Sequence, residues 1–158
     1  MDFNIISKFL WLDEIAITSF GFIGGVYFAF SFFVMQSLNK VSHSEAIRTM
    51  NSINLVILKS PFMFLFFFSS FIALIIFLEN LFLYKLISNE GFASVIFLVG
   101  MFLCTATKNV PLNNKLADFN ESSCNPKIEW NYYYNNWIKW NHIRTASCFL
   151  SMVLLLVD

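Results

Sequence analysis

The chain is short of charge, of histidine and of the residue patterns that build cofactor sites. Only 13% of its 158 residues are Asp, Glu, Lys or Arg, against roughly a quarter in an ordinary soluble domain. Ten basic residues balance ten acidic ones, so no positive field exists to attract nucleic acid. Cys104, Cys124 and Cys148 are odd in number and form no C-x-x-C pair, which excludes a disulfide framework and a zinc finger. Cys104 and Cys148 lie in apolar runs, where cysteine acts as a small hydrophobe. His43 and His142 are the only histidines; a haem pair or a di-iron bundle with two Glu-x-x-His repeats needs a spacing they do not have. His43 reads as a solvated loop residue, and His142 either as an interfacial or core histidine or as a catalytic one. No strand precedes Gly24-Gly25 and no Lys follows, so no phosphate loop is present. No serine sits in a nucleophile elbow.

What the chain has in abundance is apolar surface. Hydrophobic residues make up 58% of it and Phe alone occurs 21 times, a composition whose solvent is lipid. Four apolar runs are legible, at about 15–38, 60–79, 91–108 and 138–157, each set against the ~20 residues a helix needs to cross a bilayer. Asp13 and Glu14 precede the first run and no A-x-A site follows it, so it reads as an anchor rather than a signal peptide. Gly21, Gly25 and Ala29 recur every four residues within it, the spacing that lets helices approach closely in lipid. Ser42 and Glu45 form a capping-box pattern opening a short amphipathic helix. Pro61 marks the start of the second span, or a kink if the two helices are continuous. Pro111, amid Asn109, Asn113 and Asn114, predicts the end of the third helix and a turn. The expected fold is therefore all-α: one integral membrane domain, residues 1–158, a four-transmembrane-helix bundle with a short amphipathic helix before the second span.

The last run carries the functional argument. Thr145 to Val157 would span only ~20 Å of a ~30 Å hydrocarbon core, so the crossing helix must reach back to about Ile138. That draws Asn141, His142 and Arg144 inward, and Arg144 must either snorkel to the surface or face the interior with a partner. Trp130, Tyr133, Trp137, Trp140 and Arg144 alternate at steps of three and four, with Asn141 on the same helical face and His142 on its flank. Trp130 and Tyr132 to Tyr134 read as an aromatic belt at the membrane boundary. Trp137 and Trp140 read either as part of that belt or as the lining of a pocket for a flat aromatic ligand. Asn109, Asn113 and Asn141 read either as site residues or as groups that satisfy broken backbone at helix ends. Lys40, Arg48, Lys59, Lys108, Lys115, Lys127, Lys139 and Arg144 lie in or beside the first and third loops, leaving Lys8 and Lys85 elsewhere. The positive-inside rule then puts both termini outside and both long loops in the cytoplasm.

Four stretches together resemble the anthrone oxygenase-like family of small four-helix membrane proteins. They are GFIGGVYFAFSFFVMQSL from Gly21, MNSINLVILKSPF from Met50, NVPLNNKL from Asn109, and the W-x6-W-x2-W-N-H-I-R-T pattern from Trp130 to Thr145. The sequence departs from the family at Gln36, where the family usually has proline after the methionine of the first helix. The resemblance implies a bundle in a bacterial inner membrane. It also implies oxidation of a flat phenolic polyketide anthrone to an anthraquinone by O2, with no bound cofactor or metal. By motif position the implied site is His142, Arg144 and Asn141 as catalytic groups, with Asn54, Asn109, Asn113 and Trp137 on the substrate, beside Trp140. Here His142 would take the acidic benzylic proton, while Asn and Arg donors would stabilise the anion. The expected partners are the lipid bilayer, an aromatic small molecule and O2. Two other readings stay open at this point: a non-catalytic bundle that binds or transports a small hydrophobic ligand, and a purely structural one. An enzyme requires these side chains to converge on a cavity, whereas a structural motif would have every polar group paired internally.

Overall fold

Polar punctuation is sparse and apolar runs are long, so the chain is helical almost throughout. The computed structural model describes residues 3–84, 88–120 and 125–157, and among these every regular element is a helix. α1 (Phe3–Ala29) continues through a wide π-helical turn, Phe30–Val34, into α2 (Met35–Leu38). α3 (His43–Ile57) is the short amphipathic helix. Its Ser42 hydroxyl caps the Glu45 N–H while the Glu45 carboxylate accepts from the Ser42 N–H at 3.2 Å. α4 (Pro61–Glu79) opens with Ser60 as N-cap and Pro61 in its first turn, so Pro61 starts a new helix and kinks nothing.

α5 (Asn89–Phe97) and α6 (Val110–Ala117) are joined by π-helical turns into a single rod from Asn89 to Ala117. This corrects the expectation that Pro111 ends the third helix. A proline ring in a regular helix collides with the carbonyl four residues back. The wide turn Thr105–Asn109 lies immediately before it, where it shifts those carbonyls. The Thr105 and Thr107 hydroxyls donate at 2.7 Å to the Met101 and Leu103 carbonyls, supplying donors where the ladder is loosened. α7 (Pro126–Leu156) is one helix of 31 residues, and it packs against α1, α3, α5 and α6.

Trp11–Leu38, Pro61–Phe82 and Asn89–Ala117 are long and apolar enough to cross a membrane. α7 does not reach that standard, because its polar first half and apolar second half form one helix. The four-span expectation is thus met by three helices on length and hydropathy, with the last run forming the end of a longer element. Large apolar side chains face outward, among them Phe22, Phe64, Phe67, Phe71 and Phe82, while Ser19, Ser69, Ser70 and Ser94 are buried and bond back to their own helices. Small residues inside and phenylalanine outside is the packing expected where lipid replaces water.

The interior has two parts. One, around Phe20, Ile23, Ile76, Phe97 and Cys148, lies within the bundle of apolar helices. The other, around Met35, Met50, Leu116, Trp130, Tyr133 and Trp137, packs α3, α6 and the polar half of α7 together. Trp130 and Tyr133 are therefore core residues and not the boundary belt expected of them. Close approach of α1 to α7 uses Gly21 and Gly24: a Cβ on Gly24 would lie 3.0 Å from the Cys148 Cβ, whereas one on Gly25 would meet nothing within 4 Å. The expected Gly21-Gly25 stripe is thus half right. On the other side of α7, a Cβ on Gly100 would lie 2.6 Å from the Ser147 Cβ.

Two outcomes follow from this packing. Gly100→Ala forces the rod from Asn89 to Ala117 away from α7 and should cost about 1–3 kcal/mol of stability, read as a lower unfolding midpoint in detergent, while Gly25→Ala should leave the midpoint unchanged. The Ser42 hydroxyl and N–H hold the Glu45 carboxyl below its ordinary pKa. Its contribution to the α3 cap is therefore present above the ordinary carboxylate range and lost as pH falls through the lowered value. Amide exchange at the first turn of α3 should accelerate on that acidification, and Glu45→Gln should abolish the pH dependence.

Candidate functional site

The helical face expected on α7 exists, and at its centre is a buried arginine. Trp130, Tyr133, Trp137, Asn141 and Arg144 are all buried along it. Arg144 is only 4% exposed, so it faces the interior and does not snorkel. Its Nη2 donates to Asn141 Oδ1 at 2.6 Å and its Nη1 to Thr105 Oγ1 at 3.3 Å. The guanidinium carbon lies 4.2 Å from the Tyr27 ring centroid and 5.1 Å from that of Trp137. All these partners are neutral. Burying an arginine at a helix centre costs at least ~2.5 kcal/mol. Hydrogen bonds to a charged group at ~1.5–3 kcal/mol each and cation–π contacts of up to ~2 kcal/mol when desolvated are enough to offset it. Among the described residues Nε has no hydrogen-bond partner.

Asn141 holds this arrangement to α1. Its Nδ2 donates to the Tyr27 carbonyl at 2.7 Å and to Ser31 Oγ at 2.8 Å. The Ser31 and Thr145 hydroxyls are 3.0 Å apart, and Thr145 donates back to the Asn141 carbonyl at 2.9 Å. One turn toward the polar half, Asn113 Oδ1 accepts from Trp137 Nε1 at 2.9 Å and from the Tyr133 hydroxyl at 2.8 Å. Burial pushes the Tyr133 phenol well above its ordinary range, so it stays protonated and donates. Asn109 Nδ2 donates to the Trp137 carbonyl at 3.3 Å, and its Oδ1 is buried without a partner.

Beside this network is a cavity of about 510 Å³, within the ~300–1,000 Å³ range of small-molecule sites. Tyr27, Phe62, Phe66, Phe102 and Trp137 give it aromatic walls, and Arg144, Thr105, Asn113, Asn51 and Asn54 supply its polar groups. The Nδ2 of Asn54 and the Oδ1 of Asn51 are buried there with no protein partner.

The sequence-expected residues thus divide into three sets. Arg144, Asn54, Asn113 and Trp137 meet at the cavity. Asn141 and Asn109 lie outside its lining and bond the residues that form it. His142 and Trp140 are not brought to it: His142 is exposed with its ring 5.6 Å from that of Phe32, and Trp140 sits under Lys108 and Lys139 at 5.1 and 5.7 Å. Sequence reasoning missed Tyr27, Ser31, Asn51 and Thr105. Tyr27 and Ser31 were detectable as hydrogen-bonding side chains one turn apart in an otherwise greasy run. Thr105 had no such signal, since threonine is ordinary in an apolar helix. Among the described residues, no group of three His, Cys, Asp or Glu side chains could hold a metal ion.

Fold and site together define a class: an all-α protein with apolar helices of membrane-crossing length and an aromatic cavity built on a buried arginine–asparagine network. The family model for anthrone oxygenase matches residues 62–154, more than half of the chain, and the protein belongs to that family. Asn109, Asn113, Trp137, Asn141 and Arg144 fall inside the matched region; Tyr27, Ser31 and Asn54, which complete the site, come from outside it. Neither the curated proteins nor the solved structures contain a match.

Asn141→Ala removes the acceptor of Arg144 and the donor to Ser31 and to the Tyr27 carbonyl. It should destabilise the protein by on the order of 3 kcal/mol in reversible unfolding in mixed micelles. Tyr133→Phe, losing one bond to Asn113, should cost about 1 kcal/mol.

Proposed function

We propose that this protein is a membrane-embedded oxidoreductase that uses O2 to oxidise an acidic aromatic or quinone-like small molecule in the cavity beside Arg144. The observation that carries this reading is the unpaired cation: a buried guanidinium on a cavity wall, with neutral partners and a free Nε–H. Such a group stabilises an anion where water cannot screen it. The aromatic lining of Tyr27, Phe62, Phe66, Phe102 and Trp137 suits a flat ring system. Family membership supports oxygenation as the chemistry.

The reaction is written on a ring CH2 activated by adjacent aryl and carbonyl groups. Loss of a proton gives an enolate, whose oxygen is held by Arg144 with the Asn54 and Asn113 amides nearby. The enolate carbon reduces O2, forming a C–O bond and, after proton uptake, a hydroperoxide. The O–O bond then breaks as water leaves with the remaining ring proton, and a ketone results. One oxygen atom ends in the carbonyl and the other in water. His142 is outside the cavity, so the first proton departs to water at the polar rim near Asn51 and Asn114. Arg144 makes this feasible by lowering the acidity threshold of the bound substrate. In this reading the second half of α7 is the fourth span, both termini are outside, and the cavity belongs to the cytoplasmic side.

Oxygen uptake by the purified protein in lipid nanodiscs, with anthrone and hydroquinone panels, tests it. Arg144→Gln should lower the rate by about 100-fold or more, with Arg144→Lys as the folded variant should glutamine destabilise the bundle, and His142→Ala should stay close to wild type. Ligand binding with no uptake in the wild-type protein would assign a carrier instead, and uptake unaffected at Arg144 would overturn the site.

A further inference from the structure

The cavity has two unlike borders: Asn51, Asn54 and Asn114 make one polar, while Arg144, Thr105 and Asn113 supply polar groups elsewhere in the lining. Leu55 and Leu58 at the end of α3, Phe67 on α4 and Val110 at the start of α6 also line it, yet these four are 41% to 66% exposed. They therefore form a mouth that is apolar both inside and out. Phe67 and Val110 lie on helices apolar and long enough to cross a membrane, so the mouth opens where hydrocarbon would be. At the opposite rim Asn51 Nδ2 bridges α3 to the Leu116 carbonyl of α6 at 3.2 Å. Phe66 stacks on Phe102 with centroids 5.5 Å apart and ties α4 to the rod that carries α5 and α6.

We infer that the ligand reaches this cavity sideways from the bilayer, through the gap bordered by Leu55, Leu58, Phe67 and Val110. We further infer that it is an amphiphile whose aromatic, acidic head lies against Arg144 while an apolar chain remains in that gap. Two observations point to a ligand rather than to packing alone. Arg144, more than nine-tenths buried, stands on the cavity lining among neutral partners, and among the described residues its Nε–H and the adjoining Asn54 Nδ2 have no hydrogen-bond partner. A head offering an anionic or acceptor oxygen answers both donors, and a chain answers the apolar mouth. This inference rests on the anion-binding reading of the cavity but not on the oxidation chemistry.

The test uses the full-length protein in nanodiscs and two probes, 2-naphthol and a 2-naphthol carrying a dodecyl chain with a photoreactive diazirine at its end. Naphthol binding is followed by tryptophan fluorescence and the cross-linked residues are mapped after photolysis. The expected result is labelling on residues 55–67 and 103–110, competed by unlabelled dodecyl-naphthol. Val110→Trp, which fills the mouth, should reduce labelling about tenfold, while Phe92→Trp, exposed on α5 away from the cavity, should not. Naphthol binding together with labelling mapped to residues 39–48 or 125–132 would overturn lateral access and leave the anion site standing. So would labelling indifferent to Val110→Trp. Binding of neither probe would overturn the anion site and this inference together.

Discussion

A buried positive charge held by neutral groups governs this structure. Arg144 is enclosed by two aromatic rings, an amide and a hydroxyl, and each of these groups is fixed by something else. Asn141 is tied to α1 through the Tyr27 carbonyl and Ser31, Trp137 is held by Asn113, and Thr105 stands in a wide turn of the third rod. Two helices, α1 and the rod from Asn89 to Ala117, are thus registered against α7 by the needs of one guanidinium. A carboxylate at the same place would have neutralised the charge and left little to offer a ligand. Neutral dipoles and ring faces hold the cation while keeping its field available to the cavity.

The same constraint bears on part of the backbone's irregularity. Of the wide turns, Phe30–Val34 contains Ser31 and Thr105–Asn109 contains Thr105, with Leu98–Leu103 just before it, whereas Asn80–Tyr84 follows α4 and serves a separate cluster with Ser88 and Glu90. Such turns loosen a helix and re-aim its side chains, which is why they gather at functional sites. Here they allow Pro111 to remain in a helix and Gly100 to seat Ser147 almost on its backbone. In lipid this is tolerated only where hydroxyls and neighbouring helices supply the missing hydrogen bonds, as Thr105 and Thr107 do.

The site is also a junction between two environments. Below it the bundle presents phenylalanine outward and serine inward; above it, α3, α6 and the aromatic half of α7 close a second core around Trp130 and Tyr133. The cavity lies at this seam, where an aromatic ligand can keep an apolar surface in the bundle and a polar edge against the amides. A purely apolar interior would hold the ring but not orient it. Asn51, Asn54 and Arg144 each leave one buried atom without a hydrogen-bond partner among the described residues.

Much of this was legible in the residues alone. Charge scarcity and phenylalanine excess point to lipid, the Ser42–Glu45 spacing specifies the cap of α3, and the three-and-four repeat from Trp130 places Trp137, Asn141 and Arg144 on one face. The brevity of the last apolar run raises the expectation that Arg144 is drawn inward, because bilayer thickness is a length that any sequence can be measured against. Tertiary structure alone decided whether that arginine would snorkel or be enclosed, since both satisfy the same length argument. It also decided that His142 turns toward Phe32, that Trp130 and Tyr133 lie in a core instead of a belt, and that Pro111 leaves its helix unbroken. Each of these depends on which neighbour stands across a helix face, and periodicity along one chain carries no information about its neighbours.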